Sequence, residues 1–461
     1  MSDKPTTKPI LERRPTWRDY QARLNSSKTS QRRYVNLIFL TLFGAILISG
    51  LYFLGSRISG MITQASPDAS QAALADQTNA ADDRIRKKDI RILIDSKAFV
   101  NLNNRQFTFD YEGRPFTIAT SLDIPLQNRM LQAMDRTNSR YIAVVAMAPD
   151  TGRILALASF DKTGALDNPC TSNGFPAASI FKIVTAAAAV EQCGYRALSP
   201  MKFNGYKHTL YKSQLKEKSN RYTNKISFKD SFAQSVNPVF GKIGVLYLGK
   251  PQLEAYGDAF GFNHSFGFEI PCAPSLLTIA DNPYHWAEIA SGFNNQTTLS
   301  PLHGAILAAV PINQGRLVEP SIVDRIVDNN GEVFYRSKPT FVGQATSAET
   351  AQVVTALMEA TIKTGTSHKT FRGYKRDKVL SRLKIGGKTG SIYDKAHTTR
   401  FDWFVGFAHD LHGEGKMVVS VLVAHEKYIG RRASEYARIA FKQYFKKALA
   451  PTDHPGPKIA G

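Results

Sequence analysis

A serine three residues ahead of a lysine on a helical turn is one way of making a nucleophile. The two side chains share a face about 5 to 6 Å apart, and an amine whose pKa is lowered can take the hydroxyl proton so that the oxygen attacks a carbonyl. The 461-residue sequence has that spacing five times, beginning at Ser159, Ser179, Ser199, Ser213 and Ser381. Two more polar motifs accompany it: Ser235-Val236-Asn237, and Lys-Thr-Gly at 162–164, 363–365 and 388–390. Acyl transfer is the chemistry these groups could perform together. A phosphate cradle is excluded at the third Lys-Thr-Gly, because Arg382 stands where a P-loop needs its first glycine. Metal hydrolysis finds no ligand set, since His425-Glu426 lacks a second histidine and His409-x-x-His412 falls in an expected hairpin loop. The sequence thus calls for no metal and no cofactor.

The carrying element decides which copy of each motif counts. Ser159 ends an expected strand, Ser199 precedes Pro200, Ser213 lies in a lysine-rich polar stretch and Ser381 in a basic run. Only Ser179 opens a long apolar helix, "SIFKIVTAAAAVEQ", bounded by Pro176 and Gly194. A helix that is apolar nearly all round runs through a domain interior, and its free N-terminal N–H groups favour negative charge developing at Ser179. A core helix with a serine N-cap is the bland alternative. Pro238 can start a helix but not continue one, so Ser235 and Asn237 are expected at a helix–helix joint, with a simple capping turn as the alternative. Lys162-Thr163-Gly164 follows a strand, and Lys363-Thr364-Gly365 ends the helix "AETAQVVTALMEATI" with Gly365 as its expected C-terminal cap. Lys388-Thr389-Gly390 lies in "LKIGGKTGSIY", the expected edge strand of a hairpin, where glycines mark close approach of a backbone or a ligand.

Strand patterns lie early and late in the chain. "YIAVVAMA" (141–148) and "GRILALASF" (152–160) flank Pro149-Asp150-Thr151, a suitable hairpin turn. "DWFVGFA" (402–408) and "MVVSVLVA" (417–424) precede a closing helix, "ASEYARIAFKQYFKKAL", and the middle from about Ala177 to Thr361 reads as mostly helical. The expected class is α+β, an antiparallel sheet assembled from both ends of one domain and covered by helices. Upstream, "IRILI", "FTFDY" and "FTIATSL" read as strands of a small β element, and "IPLQNRMLQAM" has helical spacing.

Basic residues outnumber acidic ones 59 to 38, for a net charge of +21. The stretch "VNLIFLTLFGAILISGLYFL" (35–54) carries no charge, and about twenty residues span a hydrocarbon core. Residues 1–33 hold nine Lys or Arg against three acids, which by the positive-inside rule puts the N-terminus in the cytoplasm and the bulk of the chain outside. A cleaved signal peptide is the alternative, but its apolar region would be shorter and the nearest Ala-x-Ala, at 73–75, lies too far downstream. The expected layout is a basic cytoplasmic tail (1–33), a transmembrane anchor (34–55), a linker with the small β element (56–115), a catalytic domain (116–448) and a disordered tail (449–461). Nucleic acid is excluded as a partner by that topology, and the positive balance suits an anionic envelope. Cys170, Cys193 and Cys272 allow one disulfide in any of three pairings.

Taken in chain order, Ser179-Ile-Phe-Lys182, Ser235-Val-Asn237 and Lys388-Thr389-Gly390 resemble the three motifs of the penicillin-binding transpeptidases, serine acyltransferases that crosslink peptidoglycan. "TSLDIPLQ", "VVAMAPDTGRILALAS" and "SPLHGAILAAVPINQGRLVEPSIV" are similar to that family as well, and the likeness covers roughly 116–448. The resemblance implies a β-lactamase/transpeptidase-like fold with a mostly helical subdomain. It further implies a monofunctional DD-transpeptidase, inhibited by β-lactams and anchored in the bacterial cytoplasmic membrane with its catalytic domain in the periplasm. In that reading Ser179 attacks the penultimate D-Ala carbonyl of a stem peptide, and Lys182 is the general base, its pKa lowered by burial and by Lys388. Ser235 relays a proton to the leaving amine, and Asn237 holds the substrate amide and Lys182. Lys388 and Thr389 bind the terminal carboxylate, the N–H groups of Ser179 and Ser391 form the oxyanion hole, and Gly390 leaves room for a donor peptide added to the edge strand. Implied partners are peptidoglycan stem peptides, β-lactams, the cytoplasmic membrane, and a separate glycan polymerase or other cell-wall assembly proteins, as the short upstream region leaves no room for glycan polymerisation. Competing implications are a DD-carboxypeptidase, a β-lactamase, a β-lactam-sensing receptor and an inactive scaffold. The family often has Gly before the nucleophile, Thr after it and Thr after Lys-Thr-Gly, where this chain has Ala178, Ile180 and Ser391.

Overall fold

The computed structural model describes residues 85–446 apart from 414. The expected cytoplasmic tail, transmembrane anchor, most of the linker and the C-terminal tail lie outside the described residues. Among the described residues, no helix is long and apolar enough to cross a membrane.

Helix α1 (Lys87–Leu93) comes first, followed by β1 (Gln106–Tyr111), β2 (Arg114–Thr120), α2 (Ile124–Ala133), β3 (Ser139–Met147) and β4 (Ile154–Asp161). Next come α3 (Lys182–Cys193), α4 (Phe228–Ala233), α5 (Asn237–Lys242), α6 (Gly249–Ala259), α7 (Pro283–Ser291) and α8 (Pro301–Ile312). The chain continues through β5 (Val323–Asp328), β6 (Val333–Arg336), α9 (Ala348–Lys363), β7 (Leu383–Tyr393), β8 (Arg400–Asp410), β9 (Lys416–His425) and α10 (Ala433–Phe445). The central sheet has the order β7-β8-β9-β3-β4, antiparallel throughout, so both ends of the domain build it as the sequence requires.

Its strands are apolar on both faces because both faces are covered. Along β3, Ala143, Val145 and Met147 join one hydrophobic cluster, while the alternate residues Ile142, Val144 and Ala146 join another. Helix α8 lies against β3, β8 and β9 on the first side, and α10 covers β8 and β9 on the second. Helix α3 sits within the first cluster, with Ile183, Val184 and Ala186 through Ala189 all buried, and ends at Gly194 in the left-handed region (φ 65°). That buried helix, with the turn that leads into it, carries Lys182 and Ser179 to the sheet's β7 edge.

Several expectations need correcting. "IRILI" is not a strand but the greater part of α1, where Ile90 and Ile94, four residues apart, are both buried while Ile92 is exposed. Five residues with two apolar positions at that spacing fit either period. The small β element is not separate, because β1 and β2 form a four-stranded sheet of order β1-β2-β5-β6. The boundary expected between 115 and 116 therefore falls inside β2, and the middle of the chain is less helical than its composition suggested. No disulfide exists in the structure: Cys170, Cys193 and Cys272 are all free.

Candidate active site

The segment that carries the nucleophile candidate begins as a 3-10 turn, Ala178–Phe181, and becomes α-helical only at Lys182. This corrects the expectation of an α-helix opening at Ser179. With three residues per turn, positions three apart eclipse one another, and Lys182 Nζ stands 2.9 Å from Ser179 Oγ. The turn's N-cap is Ala177, with no side-chain cap, so the reading of Ser179 as a capping serine fails. Ala178, immediately before the nucleophile, has φ 50°, a left-handed conformation that costs a non-glycine residue about 1–2 kcal/mol.

Lys182 is wholly buried. Beyond its contact with Ser179 Oγ, the amine donates to Asn237 Oδ1 at 2.7 Å and to the carbonyl of Ser291, and the Phe240 ring lies 5.5 Å from it. Burial, assisted by the nearby Lys388 charge, holds its pKa well below the ordinary lysine range. A neutral amine has two hydrogens and one lone pair. With the two hydrogens taken by Asn237 and Ser291, the lone pair is left for the proton of Ser179.

Asn237 reaches this point because α4 stops and α5 restarts around a tight joint, in which Ser235 has φ 56° and Pro238 lies in the first turn of the new helix, as expected. The joint is held from outside: Asn237 N donates to the Lys207 carbonyl at 2.7 Å and Asn237 Nδ2 to that of His208 at 3.1 Å. Ser235 Oγ in turn accepts from Lys388 Nζ at 2.9 Å. Lys388, also wholly buried, donates a second bond to the Thr389 carbonyl at 2.7 Å and lies 5.6 Å from the Phe232 ring. Burial pushes its pKa from 10.5 down to about 7.

Strand β7 is the free edge of the central sheet, and its glycine run fits the expectation of close approach. A Cβ at Gly390 would meet Ala178 Cβ and Ile180 Cγ1 at 3.2 Å and Trp403 Cβ at 3.3 Å. Gly390 is therefore the contact between the third motif and the nucleophile turn. Thr389 is half-buried, and Ser391 is exposed with its Oγ accepting from Arg400 Nε at 2.8 Å. Ser179, Lys182, Ser235, Asn237, Lys388, Thr389, Gly390 and Ser391 thus belong to one cleft, linked by direct bonds and contacts from Ser179 through to β7.

Some functional positions were missed. Gly292, with φ 64°, lets the end of α7 press on the nucleophile turn, where a Cβ would overlap the Ala178 carbonyl oxygen. Thr366 Oγ1 lies 2.6 Å from Thr389 Oγ1. It directly follows the second Lys-Thr-Gly, which looked like a mere helix end. Gly365 is not the left-handed cap expected of it: α9 is capped by Thr364, and Gly365 is small because a Cβ would lie 2.3 Å from the Ala233 carbonyl. The signal is present in the repeated tripeptide, but only the fold brings its second and third copies together.

Residues 142–446, about two thirds of the chain, match the family described as penicillin binding protein transpeptidase domain. The chain belongs to this family. The chain is similar to the Peptidoglycan D,D-transpeptidase PbpA of Mycolicibacterium smegmatis, 24% identical over 323 residues, covering 61% of this chain and 61% of that protein. Penicillin-binding protein 1A of Neisseria meningitidis is 28% identical over 200 residues, 42% of this chain and 21% of the relative. The chain thus spans less than two thirds of the length of either. The D,D-transpeptidase domain of a peptidoglycan glycosyltransferase from Eggerthella lenta superposes with a TM-score of 0.59 at 23% identity, over 72% of this chain and 83% of that one. A ceftriaxone acyl-enzyme of penicillin-binding protein A from M. tuberculosis gives 0.58 at 22% identity, over 72% and 80%. These superpositions establish the transpeptidase fold.

Proposed function

We propose that this member of the family is a peptidoglycan DD-transpeptidase that works through a Ser179 acyl-enzyme, is inhibited by β-lactams and is held at the cytoplasmic membrane by residues 34–55. The observation that carries the reading is the buried amine of Lys182, 2.9 Å from Ser179 Oγ with its other two bonds committed to Asn237 and Ser291. In the reaction Ser179 Oγ bonds to the penultimate D-Ala carbonyl carbon while its proton passes to Lys182 Nζ. The carbonyl oxygen becomes an oxyanion, received by the backbone N–H groups of Ser179 and Ser391. The C–N bond to the terminal D-Ala then breaks. Its amine takes a proton from the Ser235 hydroxyl, which the Lys388 ammonium resupplies. Thr389, with Lys388 behind it, receives the substrate carboxylate, and the donor peptide lies along the β7 edge as an added strand, while Gly390 lets that strand close on the Ala178–Ile180 turn. A neighbouring stem-peptide amine completes the transfer by attacking the ester: its proton passes through Ser235 back to Lys388, and Lys182 returns a proton to Ser179 Oγ as the ester bond breaks. The membrane, the periplasm and a separate glycan polymerase are its expected surroundings.

Intact mass of the purified chain after incubation with benzylpenicillin tests this. A long-lived adduct on wild type that is absent from Ser179→Ala is the expected result. Rapid turnover of the penicillin would replace the reading with a β-lactamase, and absence of any adduct from folded protein would leave a scaffold. Stem-peptide analysis separates transfer from hydrolysis: loss of crosslinks in a strain lacking the protein supports transfer, and accumulation of pentapeptide without that loss indicates a carboxypeptidase.

A further inference from the structure

The second motif leans on a segment whose surface the chemistry above leaves unused. Residues 202–229 contain eight Lys or Arg and a single acid, Glu217, and seven of the eight basic side chains are exposed. Tyr206, Tyr211 and Tyr222, in the same segment, are 82%, 61% and 70% exposed. Exposed aromatic rings on an ordered loop gain nothing from the protein's own interior.

The loop is ordered by design of its sequence. Buried Gln214 accepts from Tyr211 N at 2.9 Å and from Thr209 Oγ1 at 3.1 Å, and donates to the carbonyls of Asn204 at 2.8 Å and Tyr206 at 3.2 Å. Leu210 and Leu215 close a small apolar cluster of their own with Ala287. A second turn is tied on through Asn204, which donates to Lys218 O and accepts from Thr223 Oγ1, both at 2.8 Å. The tyrosines are thus held outward on a fixed frame rather than left on a loose chain.

Position gives the surface its meaning. The carbonyls of Lys207 and His208 are the groups that hold Asn237, so Tyr206 is one residue from the cleft wall. Whatever lies on this surface also lies beside the substrate. A flat lipid surface at this place would cover the cleft, whereas a polymer strand can cross the loop and still present a side chain to Ser179.

We propose that the 202–229 segment, named by Tyr206, Tyr211, Tyr222, Lys212 and Arg221, is a docking surface for a glycan strand bearing acidic stem peptides. The inference rests on the transpeptidase reading and names the surface that would hold the substrate polymer. Sugar rings present faces of weakly positive C–H bonds that pack on the negative face of an aromatic ring. Stem-peptide carboxylates match the exposed cations, and Arg221 lies 4.7 Å over the Tyr222 ring, joining both contact types at one point.

Co-sedimentation of the full chain with purified peptidoglycan sacculi tests this, beside penicillin acylation of the same preparations. Tyr206→Ser with Tyr222→Ser, and separately Lys212→Gln with Arg221→Gln, are expected to weaken sedimentation about tenfold at low salt while acylation stays within about twofold of wild type. Binding equal to wild type in both double variants would overturn the proposal. So would loss of binding to phosphatidylglycerol vesicles with none to sacculi, which would assign the surface to lipid. Retained acylation in each variant shows that the fold survived, so a misfolded protein cannot mimic the expected result. If penicillin fails to acylate wild type while these residues still govern sacculus binding, the enzymatic reading falls and the docking surface stands.

Discussion

Replacing Lys388 by methionine should make the protein more stable near neutral pH and less stable in mild alkali. The substitution keeps the length of the side chain and removes its charge. In the folded protein burial holds the Lys388 pKa at about 7, against 10.5 ordinarily. The unfolded chain therefore binds the extra proton between about pH 7 and 10.5, so wild-type stability rises with pH across that window, and the penalty is fully present below it. At about 1.36 kcal/mol for each of the 3.5 units between 10.5 and 7, less a little for half-titration, burial of the cation costs about 4 kcal/mol at pH 7 and about 1 kcal/mol at pH 10. Methionine escapes that cost but forfeits the bonds to Ser235 Oγ and the Thr389 carbonyl, at about 1 kcal/mol each. The net expectation is a gain of about 2 kcal/mol at pH 7 and a loss of about 1 kcal/mol at pH 10. For a domain of this size the gain corresponds to a melting temperature higher by roughly 2–3 °C. Melting curves of the two proteins at both pH values are the assay, and the general effect of pH on a chain of net charge +21 largely cancels in the difference. A melting-temperature difference of the same sign and size at pH 7 and pH 10 would refute the argument, because it would show that Lys388 is not a buried group titrating in that window.

Three further outcomes follow from contacts within the cleft. Ala178→Gly should change stability by less than about 1 kcal/mol, because relief of the left-handed strain at φ 50° offsets the added flexibility of the unfolded chain; in α3, whose helical backbone offers no such relief, Ala186→Gly should cost about 1 kcal/mol, and chemical denaturation of both variants compares them. Gly390→Ala places a methyl 3.2 Å from Ala178 and Ile180, so it should slow penicillin acylation by about 10- to 100-fold while costing about 1–3 kcal/mol of stability, and an unchanged rate constant would argue against that contact. Thr366→Val removes the 2.6 Å bond to Thr389 and is expected to weaken penicillin binding about tenfold with the limiting acylation rate within about twofold of wild type, read from the concentration dependence of acylation.

The motifs were legible where a local rule governs them and obscure where distance does. Strands β8 and β9 announced themselves because both faces are buried and nearly every residue is apolar. The joint at Ser235 was legible from Pro238 alone. In contrast, β5 and β6 are short and half exposed, and the strand β2 that pairs with β5 lies some two hundred residues away in the chain, so no local pattern could place them. The helix at "IRILI" failed for lack of length, and the 3-10 start at Ala178 has no sequence mark that distinguishes it from an α-helical turn. Thr366 and Gly292 act on the cleft only through tertiary approach, from α9 and α7 respectively.

The two-ended construction of the central sheet also sets when the protein can become reactive. Ser420 of β9 pairs with Val145 of β3, and the β7 strand that completes the cleft is likewise from the late part of the chain. Contacts of such sequence separation form slowly, after a large loop-closure cost has been met. During synthesis, Ser179 and Lys182 therefore emerge long before Lys388 and the late strands of the sheet, and an exposed lysine near its ordinary pKa is a poor base at neutral pH. On the proposed mechanism a nascent chain would carry Ser179 in an inert form, and labelling by a β-lactam would report completed folding rather than the mere presence of the polypeptide.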